Sequence, residues 1–219
     1  MKKFNFLLFI STLLFSLSSL AEKDDSFNKQ LLNIQQQWAK ANYTLTDDPQ
    51  EAAFKDLIAQ TETWVNDHKD RAEAWLWQGI IQSTFAGVSG GLSGLSYAKK
   101  AKKSLEKAIH LNGDALQGSA YTSLGILYHK VPSWPIAFGD DDDAKMYLEK
   151  ALTINPNGID PNYFYSEYLY DERQYSDAKK HLLLALQAPK RPTRPLADKY
   201  RQKEVEQLLV KVEKKLAKK

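Results

Sequence analysis

The stretch AKMYLEKALTINP, residues 144–156, decides the fold of this chain. Its alanines and leucine follow the spacing Ala-x3-Leu-x2-Ala, and a proline comes five residues after the last alanine. In a helix this spacing puts Ala144, Leu148 and Ala151 on one face. There the alanines let a second helix approach closely and the leucine fills the contact between the two helices. The pattern therefore predicts one member of a tightly packed helix pair.

The same spacing occurs twice more, in AKKSLEKAIHLNG at residues 101–113 and in AKKHLLLALQAP at residues 178–189. Ala144 and Ala178 lie 34 residues apart. A further helical segment precedes each copy, and the one before residue 144 reads Tyr-x2-Leu-Gly-x2-Tyr over residues 121–128. A bulky residue followed by a small one again indicates close helix contact, so the sequence predicts a series of helical hairpins.

These residues resemble the tetratricopeptide repeat family, whose signature is W-x2-L-G-x2-Y followed by A-x3-F-x2-A-x4-P. The resemblance covers about residues 72–189 and is strongest from Tyr121 to Pro156. The chain departs from the signature in having leucine for phenylalanine in every second helix, and Gln78 where the family has leucine. The resemblance implies an all-α fold, an α-α superhelix of hairpins with a concave groove that holds a partner.

Two finer resemblances point to export. Residues 131–140 together with residues 162–165 resemble those of exported tetratricopeptide-repeat proteins of Gram-negative bacteria. In general plan the chain also resembles, distantly, the T-component of TRAP-type transporters. Those components are lipoproteins, whereas this sequence contains no cysteine that could be acylated.

The predicted organisation runs from a signal peptide to a capping helix. The repeat domain spans residues 22–195. It comprises a degenerate N-terminal pair at 26–68 and repeats at about 72–115, 118–158 and 159–189. We expect the helices of the three repeats at 72–86 and 97–111, 118–130 and 141–154, and 160–172 and 175–187. An amphipathic helix at 196–219 is expected to cover the apolar face of the last repeat.

Two segments interrupt the 34-residue pattern and are predicted to be long loops on one edge of the array. The first, residues 87–96, is rich in glycine but lacks the Gly-Lys-Ser/Thr ending of a nucleotide-binding loop. The second, residues 131–140, contains Trp134, Ile136 and Phe138. It is more apolar than a solvated loop needs to be. Its side chains either pack on the array itself or contact a partner.

The candidate partner-binding residues come from this second loop and from the groove positions that the family resemblance implies. They are Trp134, Phe138, Tyr163, Glu167, Tyr170, His129 and Lys130. Two charged segments border them. The run Asp140–Asp143 can cap a helix, bind a cation weakly or contact a basic partner. The segment Arg191–Pro195 is either a plain linker or a clamp on the acidic end of the groove.

The first 21 residues predict a secretory signal peptide. Lys2 and Lys3 precede a short apolar run, and small residues end at Ala21, where cleavage is expected. The apolar run is shorter than the ~20 residues of a membrane span. Cleavage would leave a periplasmic protein without stable membrane insertion.

Composition argues against several classes of function. After cleavage the chain has 28 basic and 27 acidic side chains, a balance that gives no reason to expect a nucleic acid ligand. The four histidines do not share metal-ligand spacing, and no Gly-x-Ser-x-Gly elbow is present. We therefore predict no enzyme activity and no cofactor.

Two functions remain open. The first is a periplasmic adaptor or scaffold that holds a protein or peptide segment in its groove. The alternative is a small-ligand-binding component associated with transport. An open groove would favour the adaptor, and an enclosed cavity lined by Trp134, Phe138 and tyrosines would favour the ligand binder.

Overall fold

A computed structural model describes the backbone of residues 6–218 and the side chains of residues 24–218. The predicted signal peptide, residues 1–21, lies outside the residues whose side chains are described. The described chain is all-α, as predicted, and its single β-bridge joins Ser133 and Gly139. The helices are α1 (Phe6–Thr44), α2 (Asp47–Asp67), α3 (Ala72–Ser89), α4 (Gly91–Asn112), α5 (Ala115–Lys130), α6 (Asp141–Ile154), α7 (Ile159–Asp171), α8 (Tyr175–Leu186) and α9 (Pro195–Leu216).

The pairs α3/α4, α5/α6 and α7/α8 correspond to the three predicted hairpins, and each pair is in extensive contact. All nine residues of the Ala-x3-Leu-x2-Ala pattern have no exposed surface. They are Ala101, Leu105, Ala108, Ala144, Leu148, Ala151, Ala178, Leu182 and Ala185. The pattern therefore marks the buried face of the second helix in each hairpin.

In two of the three hairpins, a glycine on the first helix faces the leucine of the second helix. A Cβ atom at Gly79 would lie 2.7 Å from Cγ of Leu105, and one at Gly125 would lie 2.7 Å from Cγ of Leu148. These distances are too short for carbon atoms in contact. The leucine of the second helix therefore occupies the space that a larger residue on the first helix would need.

The flanking helices bury the faces that their spacing predicts. In α1 these residues include Phe27, Ile34 and Trp38, and in α2 they include Phe54, Leu57 and Trp64. The rings of Phe27 and Trp64 stack with centroids 4.8 Å apart and join the two helices. None of the helices in the described part of the chain is long and apolar enough to cross a membrane.

The glycine-rich segment is not the loop that the sequence predicted. Helix α3 continues to Ser89 and α4 begins at Gly91, so only Gly90 separates them. Gly90 and Gly91 have φ values of 59° and 53°, the left-handed region that glycine enters without a steric penalty. Gly94 passes so close to α3 that a Cβ there would lie 2.6 Å from the carbonyl oxygen of Ala86. The glycines thus permit a sharp turn and two longer helices.

The odd-numbered helices form a closed circuit. Contacts join α1 to α3, α3 to α5, α5 to α7 and α7 to α9, and α9 returns to contact α1. At the return contact the rings of Tyr43 and Tyr200 stack with centroids 4.8 Å apart. The C-terminal helix packs on α8 and also contacts α1 and α7.

We expect Ala151→Leu to lower the free energy of unfolding by about 1–3 kcal/mol, because the added atoms have no space at a fully buried contact. Chemical denaturation measures the change. Met146→Leu, on the same helix but 52 % exposed, is the matched control and should be nearly neutral. Equal stability of the two variants would contradict the assigned helix contact.

His181 is half-buried and forms a hydrogen bond with Asn162. The fully buried Asn162 donates from Nδ2 to the carbonyls of Pro156 and Gly158, so its Oδ1 accepts from Nδ1 of His181 at 2.9 Å. Burial, assisted by the charge of Lys180, lowers the pKa of His181 below its ordinary 6.5.

This lowered pKa predicts a loss of stability in mild acid. The unfolded chain protonates His181 more readily than the folded chain does. The stabilising contribution of neutral His181 to the free energy of unfolding is therefore complete above about pH 6.5, and it is lost as the pH falls towards the folded-state pKa. Denaturant titrations at several pH values should show a steeper decline for the unmodified protein than for His181→Gln. Parallel pH profiles would show that His181 does not titrate in this way.

Candidate functional site

Residues 131–140, here called the Trp134 loop, join α5 to α6, and their backbone is held by hydrogen bonds. The amide of Gly139 donates to the carbonyl of Pro132 at 3.0 Å, and the amide of Asp140 donates to the carbonyl of Tyr128 at 3.2 Å. Inside the loop the amide of Ile136 donates to the carbonyl of Ser133 at 3.1 Å. The loop therefore presents its side chains from a defined backbone.

Phe138 attaches the loop to the hairpin below it. Its ring meets that of Tyr128 edge to face, with centroids 5.5 Å apart. The ammonium group of Lys102, from α4, lies 5.0 Å from both ring centroids. A hydrogen bond with Tyr128 raises the pKa of Lys102, which remains charged above the two rings. Of the two interpretations of this loop, packing on the array applies to Phe138.

Trp134 and Ile136 point away from the array. Trp134 is 86 % exposed and Ile136 is 65 % exposed. An exposed tryptophan leaves a large apolar area in water, which is unfavourable by about 25 cal/mol for each Å². This exposure leaves the indole available for contact with another molecule, the second interpretation.

Aspartates at the end of the loop extend the exposed surface. Asp140 caps α6, since its carboxylate accepts from the amides of Asp142 and Asp143 at 3.0 and 2.9 Å. Capping is therefore the role of Asp140. Among the described residues, neither Asp142 nor Asp143 forms a salt bridge. The first turn of α6, which follows the Trp134 loop in the chain, thus carries two carboxylates without a salt-bridge partner among the described residues.

The predicted groove residues His129, Lys130 and Glu167 meet in one polar cluster. His129 is bonded through Nδ1 to Asp141 at 3.0 Å and through Nε2 to Asp171 at 2.9 Å. Lys130 lies 3.0 Å from Asp171 and 3.3 Å from Glu167. The cluster therefore ties α5 to α7 and to the start of α6. Within residues 24–218, no three histidine or carboxylate side chains are placed to hold a metal ion.

The pKa of Asp171 reflects these contacts. Burial alone would raise it, but the hydrogen bonds from His129 and Lys130 outweigh burial and hold the pKa below its usual range. Burial would lower the pKa of Lys130, and the charge of Glu167 with the bond to Asp171 raises it instead. All three predicted groove residues in this cluster thus have partners within the chain.

Tyr163 and Tyr170 are also engaged. The guanidinium of Arg201, from α9, lies 4.5 Å from the centroid of Tyr163, and burial raises the pKa of this tyrosine. The ring of Tyr170 packs on Tyr175 with centroids 5.5 Å apart. Arg201 of α9 therefore lies on the ring of Tyr163, which the sequence predicted to contact a partner.

Asp160 is the centre of the contacts that hold α9 there. Its carboxylate accepts from Arg191 at 2.6 Å and from Arg201 at 2.9 Å. Burial would raise the pKa of Asp160, but Arg201, Arg191 and Arg194 together hold it well below its usual range. Of the two interpretations of residues 191–195, the arginine clamp applies. Sequence reasoning missed Arg201, because on α9 it occupies an apolar face.

No protein-family model matches this chain, and no curated protein has a similar sequence. Of the seven predicted binding residues, the described structure presents only Trp134 to solvent without a close partner in the chain.

We expect Trp134→Ala to change the free energy of unfolding by no more than about 0.5 kcal/mol, because the side chain is 86 % exposed. Phe138→Ala should cost about 1–2 kcal/mol, because it removes the ring that packs on Tyr128. Thermal and denaturant unfolding compare the two variants. The reverse order would contradict the division of the loop into an anchored and a free residue.

Proposed function

We propose that this chain is an exported helical-repeat adaptor that binds a partner protein or peptide segment through the exposed face of the Trp134 loop. The observation that carries the proposal is the 86 % exposure of Trp134 on a loop whose backbone is hydrogen-bonded at both ends. Tryptophan is among the residues that contribute most to binding energy at protein interfaces.

The anchored loop reduces the conformational cost of binding. Association is unfavourable partly because flexible loops and side chains must become ordered. In the Trp134 loop the contact of Phe138 with Tyr128 and the bond between Asp140 and Tyr128 already order the backbone. Most of the free energy from burying the indole is then available for affinity.

The charge next to the loop favours a basic partner segment. Trp134 and Ile136 supply an apolar contact, and Asp142 and Asp143 follow the loop in the first turn of α6. A partner with an apolar residue flanked by lysine or arginine would complement both features. Such complementarity chiefly accelerates association and excludes acidic partners.

We further propose that the chain belongs to the tetratricopeptide-type architecture, on a superhelical plan. Support comes from the three hairpins, from the complete burial of the repeated alanines and leucines, and from the glycines opposite Leu105 and Leu148. The signal-like residues 1–21 support a periplasmic location. Amino-terminal sequencing of the exported protein should begin at Glu22.

The position of Trp134 supports the adaptor over the small-ligand binder. A small-ligand binder of the kind predicted from the sequence would enclose Trp134 and Phe138 in one cavity. Trp134 is instead largely in water and Phe138 packs on Tyr128. These positions favour the adaptor, with the loop rather than the groove as its binding surface.

The test is affinity capture from a periplasmic extract with the purified protein, followed by mass spectrometry. Trp134→Ala should reduce the recovery of the specific partner at least about tenfold, as expected for an interface residue that contributes about 2 kcal/mol. Val210→Ala is the matched control, since Val210 is an exposed apolar residue on α9. Equal recovery by the unmodified protein and Trp134→Ala, with both folded, would refute the proposed site.

A further inference from the structure

A separate feature lies between α1 and the start of α9, at a distance along the chain from the Trp134 loop. A pocket with a volume of about 200 Å³ opens there. Its lining residues are Gln35, Gln36, Ala39, Thr193, Arg194, Pro195, Leu196 and Ala197. Pockets for drug-sized ligands usually measure about 300–1,000 Å³, so this space suits a smaller molecule.

Arg194 is the one charged residue of this lining, and its guanidinium lacks a hydrogen-bond acceptor among the described residues. Its Nε atom is buried and unpaired. The guanidinium carbon lies 5.2 Å from the centroid of Trp77, whose indole N–H is also buried without an acceptor. A buried donor without a partner is unfavourable, and a charged donor more so.

The nearby carboxylates do not accept a hydrogen bond from Arg194. Asp160 accepts hydrogen bonds from Arg191 and Arg201, and Asp198 accepts from the backbone amide and Nε of Arg191. They act on Arg194 through their charge alone, and burial still lowers the pKa of its guanidinium. Arg191 and Arg201 are paired, whereas Arg194 is left for an acceptor from outside the chain.

The other residues that line the pocket suit an anionic ligand with an apolar part. The first turn of α9 contributes Leu196 and Ala197, whose amides precede the first helical hydrogen bond, from Asp198 to Arg194. Free amides at the start of a helix favour a negative group. Ala39, Pro195 and Leu196 add apolar surface, which an inorganic oxyanion could not use.

We propose that this pocket binds the carboxylate of a small organic molecule, with Arg194 as its principal donor. A planar guanidinium and a carboxylate match in shape and charge. Gln35 and Gln36, which also line the pocket, have side-chain amides that can donate, and the apolar residues of the lining suit the rest of the ligand. The inference does not depend on the function proposed for the Trp134 loop.

The test measures binding of hexanoate and benzoate to the full purified protein by calorimetry and by thermal shift. The uncharged hexanamide and benzamide are matched probes of the same size. We expect the carboxylates to bind about ten- to a hundredfold more tightly than the amides, the range for a hydrogen bond to a charged group. Inorganic phosphate should bind more weakly than either carboxylate.

Arg194→Gln should abolish this preference for carboxylates while leaving the thermal stability of the free protein unchanged or raised, because it removes a buried unpaired charge. Arg173→Gln, which changes an exposed arginine in the turn between α7 and α8, is the control and should bind normally. Leu196→Trp, which fills the pocket and retains Arg194, should block binding even if Arg194→Gln does not fold.

The carboxylate could belong to a free small molecule or to the carboxy terminus of a peptide. Binding of a short peptide with a free carboxy terminus, compared with binding of its amidated form and of hexanoate, distinguishes the two sources. Preference for the free peptide over hexanoate would assign a chain terminus, and the opposite order would assign a free small molecule. Equal affinity for hexanoate and hexanamide, or unchanged hexanoate binding by folded Leu196→Trp, would overturn the proposal. Absence of any binding by the carboxylates would overturn it equally.

Discussion

Close approach of helix backbones within each hairpin is the constraint on which the rest of the structure depends. It requires alanine or glycine where the helices meet, and one leucine in the space that remains. Gly125 faces Leu148, and Gly79 faces Leu105, at distances that admit no additional methyl group. Because these contacts leave the other faces of the helices free, α3, α5 and α7 can contact each other in turn and carry the polar cluster between them.

A second constraint is the charge cluster around Asp160. It brings Arg191 and Arg201 against one carboxylate at the start of α7. Removing a single member of such a cluster leaves another charge buried without a partner, which is strongly unfavourable. The cluster therefore holds α9 against the start of α7, on the last of the three hairpins.

The sequence predicted the local parts of this fold well. The spacing of Ala144, Leu148 and Ala151 was sufficient to assign burial, because a helix converts sequence spacing directly into a face. At residues 87–96 the glycines predict a loop, and this prediction is wrong. Gly90 and Gly91 instead make a one-residue turn, and Gly94 makes a close helix contact. The same residue type serves both purposes, and composition does not distinguish them.

Long-range contacts account for the rest of what the sequence left open. Tyr43 stacks on Tyr200, 157 positions later, and no local pattern pairs them. The groove assignments from the family resemblance located His129, Lys130 and Glu167 together, but they could not show that His129 and Lys130 would pair with Asp171, or that Arg201 of α9 would lie on Tyr163.

The contact between α1 and α9 has a consequence for how the chain acquires its structure. In an open repeat array each unit folds on its neighbour, and the order of synthesis can be the order of folding. Here the first helix finds one of its partners only when the last helix has been made, so the circuit cannot close on a nascent chain. Joining such distant segments slows folding.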